Sequence, residues 1–260
     1  MKDIRISIIQ FDIAWEDTEN NLKHCESLIC PLQGKTDLVV LPEMFATGFS
    51  VDSVHLAETN TGNTIQQVSQ WAKEFNFAVC GSFLAKDNSG KVFNRGFFIT
   101  PEGDSYFYDK RHLFRMGKEN DFLTAGNEPA IISYKKWNIR MIICYDLRFP
   151  VWVRNKENKY DLLICVANWP ENRAGAWKTL LKARALENQC YVCGVNRIGI
   201  DKNEIFYKGD SILIDYKNNA ILEATPHKET ILTGSIDKNA LNEFRKKFPV
   251  WMDADSFEIK

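Results

Sequence analysis

Two kinds of apolar pattern alternate along the chain. Short runs rich in β-branched residues recur at IRISIIQ (4–10), DLVVLP (37–42), FAVCGSFL (77–84), RGFFIT (95–100), IRMIIC (139–144), DLLICVAN (161–168), CYVCGVNR (190–197), SILID (211–215) and TILTGSID (230–237). Several are nearly continuous in Val, Ile and Leu, as strands covered on both faces are. Between them, apolar positions fall at helical spacing. Leu22, Cys25, Leu28, Ile29 and Leu32 do so in 19–32, and Ile65, Val68, Ala72 and Phe75 in 63–75. A third helix fits 174–189, with Trp177, Leu180, Leu181 and Ala185 on one side. Strands alternating with helices predict βαβ units and a layered α/β fold. The stretches 77–109 and 206–236 read as hairpins or meanders, so the sheets are expected to be mixed. The order β, α, β, then meander occurs twice, in 4–109 and 139–236. That repeat predicts two sheets face to face with helices outside.

Composition narrows the picture. The 260 residues are 45% hydrophobic and 26% charged, ordinary globular values. No Pro/Gly/Ser-rich linker interrupts them, so one domain over 1–260 is expected. With 33 basic and 34 acidic side chains the net charge is -1, which leaves no basic excess for a nucleic-acid partner. The opening MKDIRISIIQ is charged and lacks the apolar core of a signal peptide. No run approaches the ~18 apolar residues that span a bilayer. The cysteine count, seven, is odd, and Cys80, Cys144, Cys165 and Cys193 sit inside apolar runs. This pattern fits reduced thiols in a cytoplasmic protein. CYVC at 190–193 has CxxC spacing but alternates within a strand, which reads as core packing.

In open α/β sheets, functional groups collect where strands end. Three strand ends carry chemistry. In LVVLPEMFATGF, Glu43 follows Pro42, whose fixed φ defines the turn; a solvated loop carboxylate is the plain alternative. In SYFYDKRHLF, Lys110 ends an alternating strand and precedes Arg111 and His112; charge at a strand end is also ordinary. In MIICYDLRFP, Cys144 ends a strand and Pro150 suits the first turn of a following helix. A cysteine in an apolar run is often core. On a strand-to-helix turn, however, it stands exposed at the sheet top, where helix-end N–H groups favour its thiolate. The Tyr145 N–H would then point where an oxyanion forms. Acyl transfer needs a thiol, a base for it and a cation or N–H pair for the oxyanion. Glu43, Lys110 and Cys144 together can supply these. A Cys144–His112 dyad is the competing arrangement.

With those motifs in order (LPEMFATGF, YDKRHLF, ICYDLRFP), the sequence resembles the nitrilase superfamily of carbon–nitrogen hydrolases over nearly its whole length. The resemblance implies a four-layer αββα sandwich, two mixed sheets with outer helices. It implies a Glu43–Lys110–Cys144 triad working through a thioester, with Glu43 as base and Lys110 and the Tyr145 N–H at the oxyanion. It also implies a second glutamate after the lysine, for which Glu119 is the match and Asp121 the competitor. No metal or organic cofactor is implied, and a homodimer or higher homo-oligomer is. The segment 167–199 resembles the omega-amidase branch, whose substrates are α-ketoglutaramate and α-ketosuccinamate. On that basis the NWP of 168–170 lines the pocket, Arg173 holds a substrate carboxylate, and Trp169, Phe45 and Phe114 form apolar walls. Arg148 and Arg184 are assigned to structural ion pairs. The expected partner is a small amide. Rival readings are an N-carbamoyl-amine hydrolase or a nitrilase with the same triad, and a non-catalytic scaffold of the same fold.

Overall fold

The computed structural model describes residues 3–259. Its first half runs β1 (Ile4–Gln10), α1 (Thr18–Ile29), β2 (Leu38–Val40), α2 (Asn63–Phe75), β3 (Ala78–Lys86), β4 (Val92–Ile99), β5 (Ser105–Asp109) and a single turn, α3 (Glu119–Phe122). The second half runs β6 (Ala130–Tyr134), β7 (Trp137–Ile143), α4 (Pro150–Val153), β8 (Leu162–Ala167), α5 (Ala174–Asn188), β9 (Tyr191–Asn196) and the hairpin β10 (Ile198–Ile200) and β11 (Phe206–Lys208). It closes with β12 (Ile212–Ile214), β13 (Ala220–Glu223), β14 (Thr230–Ile236) and α6 (Lys238–Lys247).

Among the described residues the strands form two six-stranded sheets, ordered β14-β1-β2-β3-β4-β5 and β13-β12-β9-β8-β7-β6, with β10 and β11 as a separate two-stranded sheet. Each has a parallel centre, β1–β2–β3 and β7–β8–β9, and antiparallel flanks. The alternation along each strand sorts the layers. Ile6, Ile8, Leu38 and Val40 join the core shared with the second sheet, while Val39, Leu41 and Val79 turn to α1 and α2. The sheets approach closely: Cys80 Sγ lies 3.4 Å from Met141 Sδ. A Cβ added to Gly96 would meet the Met141 side chain at 2.7 Å. On the far side α5 seats Trp177, Leu181 and Ala185 in the core, with Leu181 over Gly194, where a Cβ would lie 2.5 Å away. This is the expected αββα sandwich.

The helices end where their sequences provide caps. The Asp17 side chain accepts the Asn20 N–H at the start of α1, and Asp237 accepts those of Asn239 and Ala240 at the start of α6. Asn76 and Gln189, both left-handed, terminate α2 and α5. Both cysteines of CYVC are buried, in and beside β9. No helix among the described residues is long and apolar enough to cross a membrane.

Two expectations need correction. The stretch 206–236 is not one meander. β14 leaves the second sheet and pairs antiparallel with β1 along its whole length, from Ile4↔Ile236 to Gln10↔Thr230, because the edge of β1 is otherwise unpaired. β6 was not anticipated; its short run is closed onto β7 by a tight turn in which Lys135 and Lys136 take positive φ.

After β14, α6 returns across the end of the second sheet and is locked there by charge. The buried Arg245 guanidinium donates to Asp161 (2.9 Å), Gln189 O (2.9 Å) and Tyr160 O (2.7 Å). Asp161 also holds Lys238 at 2.7 Å and accepts the Asn138 N–H at 3.0 Å. Arg245→Ala strands two buried carbonyls and half of a buried ion pair, so a loss of about 3 kcal/mol is expected in urea unfolding.

Candidate active site

Four strands deliver their C-terminal ends to one place on the seam between the sheets. β2 runs into Glu43 and β5 into Lys110 on the first sheet. β7 runs into Cys144 and β8 into Asn168 on the second. Glu43, Lys110 and Glu119 are fully buried. The Lys110 Nζ donates at 2.9 Å to both Glu43 Oε1 and Glu119 Oε1. Asn94, in the middle of β4, donates Nδ2 to the same two oxygens at 2.7 and 3.0 Å, and its Oδ1 accepts from Ser82 Oγ. The remaining Glu119 oxygen accepts the Phe114 N–H at 2.6 Å, and the remaining Glu43 oxygen accepts the Asn168 N–H at 2.6 Å. Asp121, the competitor for the second-glutamate position, is exposed.

The cluster's charges are mutually dependent. Burial opposes the Lys110 charge, but Glu119 and Glu43 outweigh it and raise the lysine pKa. Burial raises the Glu119 pKa against the attraction of Lys110, with the Glu43 charge adding to the rise.

Cys144 takes a left-handed backbone (φ 45°) at the head of a 3₁₀ turn over 144–148, a conformation costly for a non-glycine residue. Asp146, fully buried, holds that turn in place. It accepts the Ile143 N–H (3.1 Å), Tyr108 OH (2.7 Å), and both the backbone N–H and Nδ1 of His112 (2.9 and 2.8 Å). The His112 ring is stacked on Phe149 at 3.7 Å. The structure therefore uses His112 to brace the turn and does not bring it to the thiol. The expectation of a favoured thiolate is also corrected. Burial pushes the Cys144 thiol well above its ordinary pKa, and the Glu43 charge adds to that, against the pull of Lys110.

A cavity of about 440 Å³ opens above this floor, lined by Lys110, Cys144, Tyr145 and Asn168 and walled by Phe114, Trp169 and Phe49. Trp169 and Phe114 stand where the sequence put them. Phe45 does not. It is fully buried against Trp71 and Phe97, with ring centroids 6.4 and 5.8 Å apart. The positive φ of Met44 turns the chain back, so Phe45 packs beneath the sheet toward α2. Phe49 takes the place on the wall, its ring 5.5 Å from Lys110 Nζ. Arg173 lines the cavity, its guanidinium 5.2 Å from the Phe114 ring centroid. Arg148 lines it as well, 4.8 Å from the Trp169 ring, which overturns its assignment to an ion pair. Neither arginine has a carboxylate partner among the described residues. Arg184 is the structural one: it pairs with Glu187 at 2.9 Å and donates to Leu147 O at 2.6 Å.

Asn94 and Asp146 are polar residues of the site that the strand-end reading passed over, while Asn168, in the NWP expected to line the pocket, does line it. Asn94 carried a weak signal, being a polar residue beside Arg95 in an otherwise apolar strand. No group of three or more His, Cys, Asp and Glu side chains among the described residues is placed to hold a metal ion.

The family model for carbon–nitrogen hydrolases matches residues 5–246. The chain is 40% identical over 259 residues to omega-amidase YafV of Escherichia coli K12, covering 100% of both. It is 32% identical over 251 residues to a 2-oxoglutaramate amidase of Bacillus subtilis, covering 95% of this chain and 96% of that one. Among solved structures, a CN-hydrolase superfamily protein of Xanthomonas campestris, with an arsenic adduct in its active site, superposes with a TM-score of 0.97. It shares 42% identity over 100% of each chain.

The site's electrostatics make a sharp expectation. Glu43→Gln removes a negative charge that raises the Cys144 pKa. The thiol should therefore alkylate faster with neutral iodoacetamide at pH 8, by about three- to fourfold for each pKa unit relieved, because nucleophilicity falls as the pKa falls. Mass-spectrometric timing of Cys144 modification checks this.

Proposed function

This chain belongs to the carbon–nitrogen hydrolase family, and we propose that it hydrolyses the terminal amide of small ω-amido acids such as α-ketoglutaramate and α-ketosuccinamate. The carrying observation is a thiol set over a buried Glu43–Lys110–Glu119 cluster, in a cavity whose walls present two guanidiniums without carboxylate partners. The similarity to proteins named omega-amidase and 2-oxoglutaramate amidase supports the same substrate class.

Because the thiol rests protonated, the reaction starts with general base catalysis. Glu43 takes the Cys144 proton as Sγ bonds to the amide carbon, and the carbonyl electrons move to oxygen. Lys110 Nζ and the Tyr145 N–H receive that oxyanion; one such donor is worth 10²–10³ in rate, by the general measure. Glu43 returns the proton to nitrogen as the carbon–nitrogen bond breaks, so ammonia leaves and a thioester remains. Glu43 then deprotonates a water that attacks the thioester carbon. The acid departs and the thiol is restored. Glu119 positions Lys110 throughout, since without it the buried ammonium answers to one carboxylate alone.

The far end of the substrate is an anion. Arg173 and Arg148, seated over Phe114 and Trp169, match a carboxylate by planar, paired donation, and the small cavity suits a short acid. The protein acts as one 1–260 domain in the cytoplasm, consistent with its seven free thiols. It acts as a homodimer, for which exposed Val151 and Leu186 on α4 and α5 provide apolar surface.

Ammonia release from α-ketosuccinamate and α-ketoglutaramate tests the assignment. It should be rapid in the native protein and absent in Cys144→Ala. No release from folded native protein rejects the ω-amide substrate, and carbamoyl amines and nitriles are then the substrates to try. Arg173→Ala and Arg148→Ala should each raise KM about tenfold to a hundredfold with little change in kcat. Glu119→Gln should lower kcat about a hundredfold.

A further inference from the structure

Asn168 stands between the base and the nucleophile. Its backbone N–H donates to Glu43 Oε2 at 2.6 Å, and its carbonyl lies 3.9 Å from Cys144 Sγ. Its side chain is tied down at one end only: Nδ2 donates to the Glu43 carbonyl at 2.6 Å. That bond settles which end is which, because a carbonyl oxygen at that distance accepts from an NH₂ group and repels an oxygen. Oδ1 is therefore the free end. It is buried and has no hydrogen-bond partner among the described residues, although Asn168 is only 6% exposed and lines the cavity beside Cys144 and Lys110. A buried acceptor left unmade is costly, and native proteins keep few of them without a use.

The chemistry of an amide supplies the missing donor. A primary amide brings one oxygen, which the cationic side of the site receives, and an NH₂ group with two donors. The carboxylate oxygens around Cys144 are already engaged. Glu43 Oε1 and Glu119 Oε1 each accept from Lys110 and Asn94, Glu119 Oε2 accepts from Phe114, and Glu43 Oε2 accepts from Asn168 itself. Asn168 Oδ1 is the acceptor that stands unoccupied.

We propose that Asn168 reads the leaving nitrogen, its Oδ1 accepting an N–H of the substrate's amide. This deepens the amidase reading above and rests on it. The contact fixes the nitrogen beside Glu43, the group that protonates it, and strengthens as the nitrogen takes on positive charge during departure. It also distinguishes substrate from product. The acid that remains after hydrolysis has lone pairs in place of the N–H, so the same oxygen repels it. An ester is refused the contact for the same reason.

The test compares substrates that differ only in that N–H. Succinamate and monomethyl succinate are assayed with the native protein, Asn168→Ala, and Asn168→Ser, which keeps a hydroxyl beside Glu43. The ratio of amide to ester kcat/KM should fall about tenfold in both variants, the general worth of one hydrogen bond. An equal fall for both substrates would show that Asn168 acts only through the placement of Glu43, and would overturn the proposal. An unchanged amide rate would overturn it too. A second readout needs no turnover: the rates of Cys144 alkylation by chloroacetamide and methyl chloroacetate. Chloroacetamide should lose about tenfold relative to the ester in the variants, and a constant ratio overturns the proposal. If the native protein releases ammonia from no ω-amide, the substrate assignment fails while the alkylation ratio still decides the role of Asn168.

Discussion

A lysine ammonium buried completely between two carboxylates is the constraint on which the rest of this structure depends. Lys110 is fully buried, so its charge is held by Glu43 and Glu119, which face it at 2.9 Å. Each carboxylate depends on it in turn and on the neutral donors arranged around it. Asn94 spans the two oxygens that hold Lys110, while backbone N–H groups of Phe114 and Asn168 satisfy the others. A network of this kind is stable only when every member is satisfied. That explains why the elements supplying it come from so many parts of the chain.

Neither sheet holds the site alone. The first provides the charges, Glu43 and Lys110, with Asn94 between them. The second provides Cys144 and Asn168. The tight inter-sheet packing around Cys80, Gly96 and Met141 is thus also what sets the distance between Glu43 and Cys144. Asp146 does the corresponding work within the second sheet and across the seam. Tyr108 and His112 reach it from the first sheet, and its bond to the Ile143 N–H holds the strained turn on which Cys144 sits.

Above this rigid floor the cavity is built differently. Its cations rest on aromatic faces, Arg148 on Trp169 and Arg173 on Phe114, and ring and guanidinium attract without neutralising each other. The floor is charge-balanced internally while the wall keeps positive charge available to a ligand. The same residue type thus plays opposite parts in one region, for Arg184 spends its charge on Glu187 and a carbonyl.

The layered fold, the helices α1, α2 and α5 and the places of Glu43, Lys110 and Cys144 were legible in the sequence, because they follow from local rules, whereas α6 was not. Period-two and helical patterns mark strands and helices. A polar residue directly after an apolar strand must stand at the sheet's end. What depends on distant partners was not legible. Spacing left Glu119 and Asp121 open, and the reach of Lys110 decides between them by burying one. Phe45 looks suited to a wall until the turn at Met44 sends it inward and Phe49 takes its place. Arg148 read as half of an ion pair until the fold left it no carboxylate. The transfer of β14 to the first sheet depends on an unpaired edge more than two hundred residues away in the chain. Local periodicity is a property of neighbours, and the sequence determined it alone. Which charges meet, which edges pair and which amide oxygen is left unpaired are properties of the packed whole, and only the tertiary structure decided them.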